Sequence, residues 1–413
     1  MDSIGFDWQP RTRMVFGAGS LARLGELARE LSPHPHVLLV TDRGIVEAGH
    51  AERARQILEA AQVRVTIFDQ AKENPTTRTV EECLQAAKAA EINAFIGLGG
   101  GSSMDTAKGC NFLLTNGGRM QDYWGVGKAA RPMLPLMAIP TTAGTGSECQ
   151  SFALIADEDT HQKMACGDPK AAARVALLDP ELTLSQPRRV TACTGVDAIT
   201  HAVETAVTRK RTDWSRILSR ESFVLALQAF PRVLAVSEAI EPRAHMQLGA
   251  ALAGMAIENS MLGAAHAAAN PLTAHFDIVH GQAVGLMLPH VMRYNAQEPA
   301  TLRRYAELAT AAALVRRRDD PQVALRALVA RIEYLLNIAD IPHSLAACKV
   351  PPSRIPQLAK EAAAQWTTQF NPLPVSASGF EQLYAAAMLN RGEGSGAAFV
   401  RDDGDPHPQR TSE

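Results

Sequence analysis

Ala94-Phe95-Ile96-Gly97-Leu98 runs directly into Gly99-Gly100-Gly101-Ser102-Ser103-Met104-Asp105. The first five residues form an unbroken apolar run, as expected of a strand buried on both faces. The segment Met104 to Leu114 that follows has a helical pattern. Glycine lets a backbone approach a pyrophosphate without a Cβ clash, and a helix N-terminus offers unpaired N–H groups and the positive end of its dipole. Ser102 adds a hydroxyl donor. The alternative reading is a tight strand-to-helix turn that holds no ligand.

Working outward, the same alternation repeats. Apolar runs at His36 to Thr41 (HVLLVT), Gln62 to Phe68 (QVRVTIF) and Met133 to Ile139 (MLPLMAI) read as strands, followed by Phe152 to Ile155 and Arg174 to Leu178. Helical patterns at Leu21 to Leu31, Ala51 to Ala61 and Val80 to Ala90 separate the early ones. Strands alternating with helices imply a parallel sheet covered on both faces. After Pro187 strands are hard to find, and alanine, leucine and methionine recur with helical spacing, as in Trp214 to Ala229 and Arg243 to Ser260. Pro180 and Pro187 interrupt both patterns. The expected organisation is therefore an α/β domain over 1–185 and an all-helical domain over 186–390. A mobile tail, rich in Gly, Asp, Pro and Arg, is expected over 391–413. No internal repeat is visible.

The chain has 413 residues, with Lys+Arg 41 against Asp+Glu 43, a net charge of −2. No bulk positive field exists to attract nucleic acid or acidic lipid. The two short basic runs, Arg209-Lys210-Arg211 and Arg316-Arg317-Arg318, read as solvated surface. The six cysteines form no CxxC pair and read as reduced thiols of a cytoplasmic protein. Met1 to Pro10 lacks a signal-peptide pattern, and no stretch reaches the ~18 apolar residues of a membrane span.

Three further clusters carry possible chemistry. Gly17-Ala18-Gly19-Ser20-Leu21-Ala22 fits the GxGxxA pattern, and Asp42 ends the next strand, where a ribose-binding carboxylate is expected. The preceding strand, Arg13 to Phe16, is very short, so a plain turn is at least as good a reading. Pro140 to Glu148 (PTTAGTGSE) follows a strand and is dense in small hydroxyl donors, suited to a polar ligand or to a Thr/Ser-rich turn alone. In the helical half, Asp197 and His201 are spaced i, i+4, which puts both on one helix face. His266 and His280 lie farther on, with Pro271 expected to break any continuous helix between them. One carboxylate and three imidazoles make a four-ligand set for a divalent metal. The alternative is a surface or capping pair at Asp197/His201. His275 and His290 read as structural, or as supports behind the ligands.

Together these motifs resemble the iron-containing (group III) alcohol dehydrogenase family. The matching segments are Phe16 to Gly19, Val40 to Asp42, Gly99 to Lys108, Pro140 to Glu148, Gly195 to Glu204, His266 to Leu272, His280-Gly281 and Phe370-Asn371-Pro372, within residues ~6 to 388. The resemblance implies an α/β dinucleotide-binding domain, a helical domain and a metal in the cleft between them. It implies Asp197, His201, His266 and His280 as metal ligands, and Gly100, Gly101, Ser102 and Asp105 as the cofactor's phosphate loop. Thr141, Thr142, Thr145 and Ser147 are implied near the nicotinamide half, and Asn74 and Lys163 fall in segments similar to cofactor-contacting ones. Asp42 matches the ribose position, where its charge would repel a 2′-phosphate and favour NAD over NADP.

The activity implied is reversible hydride transfer between NAD and an alcohol, which becomes the aldehyde or ketone, dependent on Fe²⁺, with Zn²⁺ or Mn²⁺ as alternatives. A small-molecule substrate and a homo-oligomer are implied as well. The apolar, small-residue segment Met261 to Ala269 points to a modest, uncharged substrate. Many relatives carry a histidine where this chain has Asn270, and an amide cannot relay a proton as imidazole does. Two other enzymes share the architecture. A dehydroquinate synthase-like lyase would use NAD transiently on a phosphorylated substrate, and the scarcity of Lys and Arg beside the candidate ligands argues against it. A maleylacetate reductase is the other. A non-catalytic nucleotide-binding protein is a third class.

Overall fold

A computed structural model describes residues 6–160, 162–342 and 344–388. The tail expected over 391–413 lies outside the described residues. Every strand among them ends by Leu178, and the run of helices without strands begins at Arg188.

Six strands form one parallel sheet: β1 (Arg13–Phe16), β2 (His36–Val40), β3 (Arg64–Phe68), β4 (Ala94–Gly99), β6 (Leu136–Pro140) and β9 (Val175–Leu178), in the order β1-β9-β6-β4-β2-β3. Residues of β2 and β4 alternate between two cores, which is why these strands read as continuous apolar runs. Val37, Leu39, Ala94, Ile96 and Leu98 pack under α1 (Leu24–Leu31) and α3 (His50–Ala60). Leu38, Val40 and Phe95 pack under α4 (Thr77–Ala90) and α5 (Gly101–Asn116). A short helix, α2 (Arg43–Glu47), follows β2.

The expected strand at Phe152 to Ile155 exists but is not in the parallel sheet. As β7 (Phe152–Ala156) it pairs antiparallel with β8 (Lys163–Gly167), and β5 (Gly125–Val126) completes a small second sheet. Only six residues separate the end of β7 from the start of β8, enough for a hairpin and too few for a helical crossover.

The helical part comprises α6 (Arg188–Thr205), α7 (Asp213–Ala235), α8 (Ile240–Ser260), α9 (Ala264–Phe276), α10 (His280–Asn295), α11 (Pro299–Ala311), α12 (Pro321–Ile338), α13 (Ile355–Ala363) and α14 (Ala377–Met388). α6 and α9 are buried over most of their surface, so neither shows a clean amphipathic stripe. Pro271 does not break the chain between His266 and His280 as expected. It sits inside α9, which continues to Phe276, and the break comes at Asp277, in the left-handed region at φ 52°. A proline removes one N–H from the helix ladder. Here packing holds the turn: Ala267, Ala268, Ala269 and Leu272 are all fully buried, and the Tyr384 hydroxyl donates to the Ala268 carbonyl at 2.7 Å.

The two parts meet closely. A Cβ on Gly254 of α8 would lie 2.2 Å from the Gly146 carbonyl oxygen, so only glycine lets α8 approach the loop after β6. The Gln247 amide, also on α8, donates to the Pro140 carbonyl at 3.1 Å, tying the end of β6 to the helical part.

Candidate metal centre and nucleotide cleft

In this strand order the chain moves outward from β2 to β3 and then returns to place β4 on the other side of β2. The crevice at the carboxyl ends of β2 and β4 is therefore the switch point, where open α/β sheets bind ligands. Asp42 and the Gly99–Ser103 turn stand at these two ends. Gly99 has φ 147°, and a Cβ on Gly101 would lie 2.9 Å from the Thr145 side chain. No side chain caps the start of α5, whose N-cap is Gly100. Gly100, Gly101 and Ser102 at this helix start line the cleft, and the unpaired N–H groups of a first helical turn suit an anion.

The competing Gly17–Gly19 turn is different. It lies on the edge strand β1, and the buried carboxylate of Asp179 fills it, accepting from Gly19 N at 3.1 Å and Leu21 N at 2.9 Å. The protein's own anion occupies this helix start, so the turn is structural.

A cleft of about 540 Å³ runs between the two parts. Asn74, Gly100, Gly101, Ser102, Asp105, Thr142, Thr145, Ser147 and Lys163 line it on the α/β side, and Asp197, His201, His266 and His280 on the helical side. Asn74 is left-handed at φ 51°, a conformation asparagine tolerates. Asp42 and Thr141 do not line the cleft. Asp42 caps α2 through Ile45 N at 3.1 Å and accepts from Ser103 Oγ at 3.2 Å, so it stands beside the glycine turn. Thr141 is buried behind Gly99, to whose carbonyl its N–H donates at 2.9 Å.

Asp105 and Ser147 border the cleft, but their polar atoms bond within the protein. Ser147 Oγ donates to Asp105 Oδ1 at 2.7 Å and accepts from Lys108 Nζ at 2.8 Å, while Leu154 N donates to Asp105 Oδ2 at 3.2 Å. Lys108 is fully buried and also donates to the Ser147 and Phe152 carbonyls. Burial raises the Asp105 carboxyl and lowers the Lys108 ammonium, outweighing their mutual attraction. Burial likewise lowers Lys163, against the pull of Asp105, Asp197 and Glu73.

At the helical end, Asp197 and His201 lie one turn apart on α6, His266 in the first turns of α9 and His280 at the start of α10. Ligand atoms of Asp197, His201 and His266 lie within 4.8 Å of one another. Asp197 Oδ1 is 3.4 Å from His201 Nε2, 3.5 Å from His266 Nε2 and 4.0 Å from His280 Nε2. The His201 and His266 rings stack at 4.7 Å and 12°. Asp197 Oδ1 and His266 Nε2 are buried yet have no hydrogen-bond partner. Buried polar atoms are rarely left so. Burial by itself would raise the Asp197 carboxyl, but His201, His280 and His266 around it hold it well below the ordinary carboxylate range. An ionised oxygen facing imidazole nitrogens fits a divalent cation.

A second layer orients these groups. His201 Nδ1 lies 3.3 Å from the Gly144 carbonyl, and His266 Nδ1 lies 2.5 Å from Glu204 Oε2. Glu204 carries no role in the sequence reading. Its signal was its place on α6, in line with Asp197 and His201. Arg189 and Cys193 of α6 also border the cleft and were not anticipated. Asn270 donates to Gln365 Oε1 at 3.0 Å and does not line the cleft, and His275 pairs with Glu361 at 2.7 Å at the surface.

Residues 10–180 match the family model described as iron-containing alcohol dehydrogenase, and residues 191–388 match that of the Fe-containing alcohol dehydrogenase family, C-terminal. The NAD-dependent methanol dehydrogenase of Bacillus methanolicus is 32% identical over 375 residues, 91% of this chain and 97% of that protein. Alcohol dehydrogenase 4 of Schizosaccharomyces pombe is 36% identical over 295 residues, 71% of this chain and 70% of that protein. Among solved structures, a 1,3-propanediol oxidoreductase superposes with a TM-score of 0.89 at 28% identity, covering 93% of this chain and all (100%) of the other. No helix among the described residues is long and apolar enough to cross a membrane.

Proposed function

The chain belongs to the iron-containing alcohol dehydrogenase family, and from that premise we propose that it oxidises a small, uncharged alcohol to the aldehyde or ketone with NAD as hydride acceptor, and catalyses the reverse. The observation that carries this reading is the unpartnered Asp197 oxygen facing His201 and His266 across the cleft from an uncapped glycine-turn helix. Asp197, His201, His266 and His280 would hold the cation: Fe²⁺ by family, with Zn²⁺ or Mn²⁺ suited to the same donors. Bound there, a divalent cation supplies Lewis acidity that lowers the pKa of an alcohol oxygen.

The protein's own part is placement. The α5 N-terminus, with Gly100, Gly101 and Ser102, binds the pyrophosphate, and Asp42 takes the ribose. Thr142 and Thr145 flank the nicotinamide half, with Asn74 and Lys163 on the same wall of the cleft. Thr141, Asp105 and Ser147 act from behind, holding the turn and loop in position. Leu262 and Val279, next in sequence to the segments carrying His266 and His280, line the cleft with Phe152 and Ile257 and exclude water from the reacting carbon. These apolar walls favour an uncharged alcohol. Lys163 and Arg189 also line the cleft, so the scarcity of cations expected from the sequence is not found there, and the NADH assay below separates this reading from a dehydroquinate synthase-like lyase. We read the enzyme as cytoplasmic and homo-oligomeric, a reading supported by its free cysteines and by the unpaired edge of β1.

The test is absorbance of NADH on adding primary alcohols to purified protein, after stripping by chelator and after restoring Fe²⁺, Zn²⁺ or Mn²⁺. Steady, metal-dependent accumulation of NADH is expected. Turnover of a substrate without net NADH would favour the lyase.

A further inference from the structure

Glu204 reaches the metal centre from behind. Asp197, His201 and Glu204 follow one another along a single face of α6, and the Glu204 side chain is buried. Its carboxylate serves two kinds of donor. Oε2 meets His266 Nδ1 at 2.5 Å and accepts from Gly263 N at 3.2 Å, and Oε1 accepts from Ala265 N at 2.7 Å. A carboxylate only accepts hydrogen bonds. With Nδ1 as the donor, the other ring nitrogen, Nε2, presents its lone pair, and Nε2 is the atom facing Asp197 without a hydrogen-bond partner.

Capping α9 does not require the imidazole contact. Asn371, arriving from the C-terminal segment, already accepts from Ala264 N at 3.1 Å and is itself held by Asn295. Gly263 makes room for both side chains: a Cβ there would lie 2.9 Å from Asn371 Oδ1 and 3.1 Å from Glu204 Oε1. The His266 ring is thus gripped on its edge by Glu204 and on its face by the stacked His201 ring.

We propose that Glu204 is a positioning residue for the metal centre, fixing the ring orientation of His266 and joining it to the first turn of α9. The proposal rests on the reading that the Asp197 cluster holds a divalent cation. Partners of this kind commonly change metal affinity 10- to 100-fold when removed.

The experiment compares wild-type protein with E204Q, E204D and N371A. The readouts are metal affinity by competition with a chelator, the visible spectrum of the Co²⁺-substituted protein, the Tm of the metal-free form and NADH binding by fluorescence. E204Q and E204D are expected to lose about 10- to 100-fold in metal affinity, to shift the Co²⁺ bands and to bind NADH as wild type does. N371A, which removes a cap without touching His266, is expected to lower Tm and keep wild-type metal affinity. Wild-type affinity and an unshifted Co²⁺ spectrum in whichever Glu204 variant folds would overturn the proposal and leave Glu204 a helix cap. Wild-type protein that takes up no stoichiometric metal would instead overturn the underlying metal reading, and the proposal with it.

Discussion

Ser103 Oγ donates to Asp42 Oδ2 at 3.2 Å, joining the first turn of α5 to the end of β2 across the switch point of the sheet. The carboxylate proposed to select the ribose and the turn proposed to take the pyrophosphate are therefore one hydrogen-bonded unit. A carboxylate there repels a 2′-phosphate. Replacing it by alanine is expected to raise the ratio of kcat/KM for NADP to that for NAD roughly 10- to 100-fold, as removal of a like-charge contact of about 1–3 kcal/mol implies. Steady-state kinetics of D42A with both cofactors check this. An unchanged ratio would place the ribose elsewhere.

Asp179 is expected to matter for stability and not for cofactor. Its buried carboxylate accepts from Gly19, Leu21 and Glu181 N–H groups. D179A leaves these donors unpaired, at a cost of about 1–3 kcal/mol. Urea unfolding should register that loss while the Kd for NADH stays at the wild-type value. A large rise in Kd would return the Gly17–Gly19 turn to consideration as a nucleotide site.

His201→Ala and Asp197→Asn are each expected to remove bound metal and turnover together. Loss of several kcal/mol of charge stabilisation corresponds to a fall in kcat of at least ~10³-fold. Wild-type protein should also gain about 2.7 kcal/mol of stability at a metal concentration 100 times Kd, a gain absent from both variants. Elemental analysis and metal-dependent thermal shifts measure the two effects. A fully active variant without metal would refute the role of the cluster.

Glu148, buried beside Lys108 at the end of the Pro140–Glu148 loop, provides a pH test. Burial raises its carboxyl from 4.5 to about 7, against smaller opposing contributions from its own backbone and Lys108. Between these values the folded protein keeps a proton that the unfolded chain has lost. The stability this contributes is complete below pH 4.5 and is lost as pH rises through 7. E148Q carries no charge at any pH. Its Tm is expected to rise relative to wild type as pH is raised from about 5 to 8. A difference in Tm that does not vary with pH would contradict the assignment.

The parallel sheet was legible because β2, β4 and β6 are buried on both faces and their sequences show it. The hairpin partner β8, Lys163-Met164-Ala165-Cys166-Gly167, was not, because it is short and carries no alternation. Pro271 misled for a related reason: local rules weigh a missing N–H, whereas the close packing of its buried neighbours, Ala267 to Ala269 and Leu272, is tertiary. At the site, the i, i+4 spacing of Asp197 and His201 was visible, but no local pattern joins them to His266 and His280. That link came through family resemblance, and the fold places all four at one end of the cleft. Glu204 was missed because its partners, Gly263 to His266, are distant in sequence, and the bond between Ser147 and Asp105 is equally non-local and left no local signal.

Crystals of the protein reconstituted with Fe²⁺ or Zn²⁺, measured at the metal's absorption edge, test the central claim most directly. A single anomalous peak is expected about 2.0–2.2 Å from the Asp197 carboxylate and from Nε2 of His201, His266 and His280. A peak elsewhere, or none in crystals of an enzyme that still reduces NAD with alcohol, would contradict it.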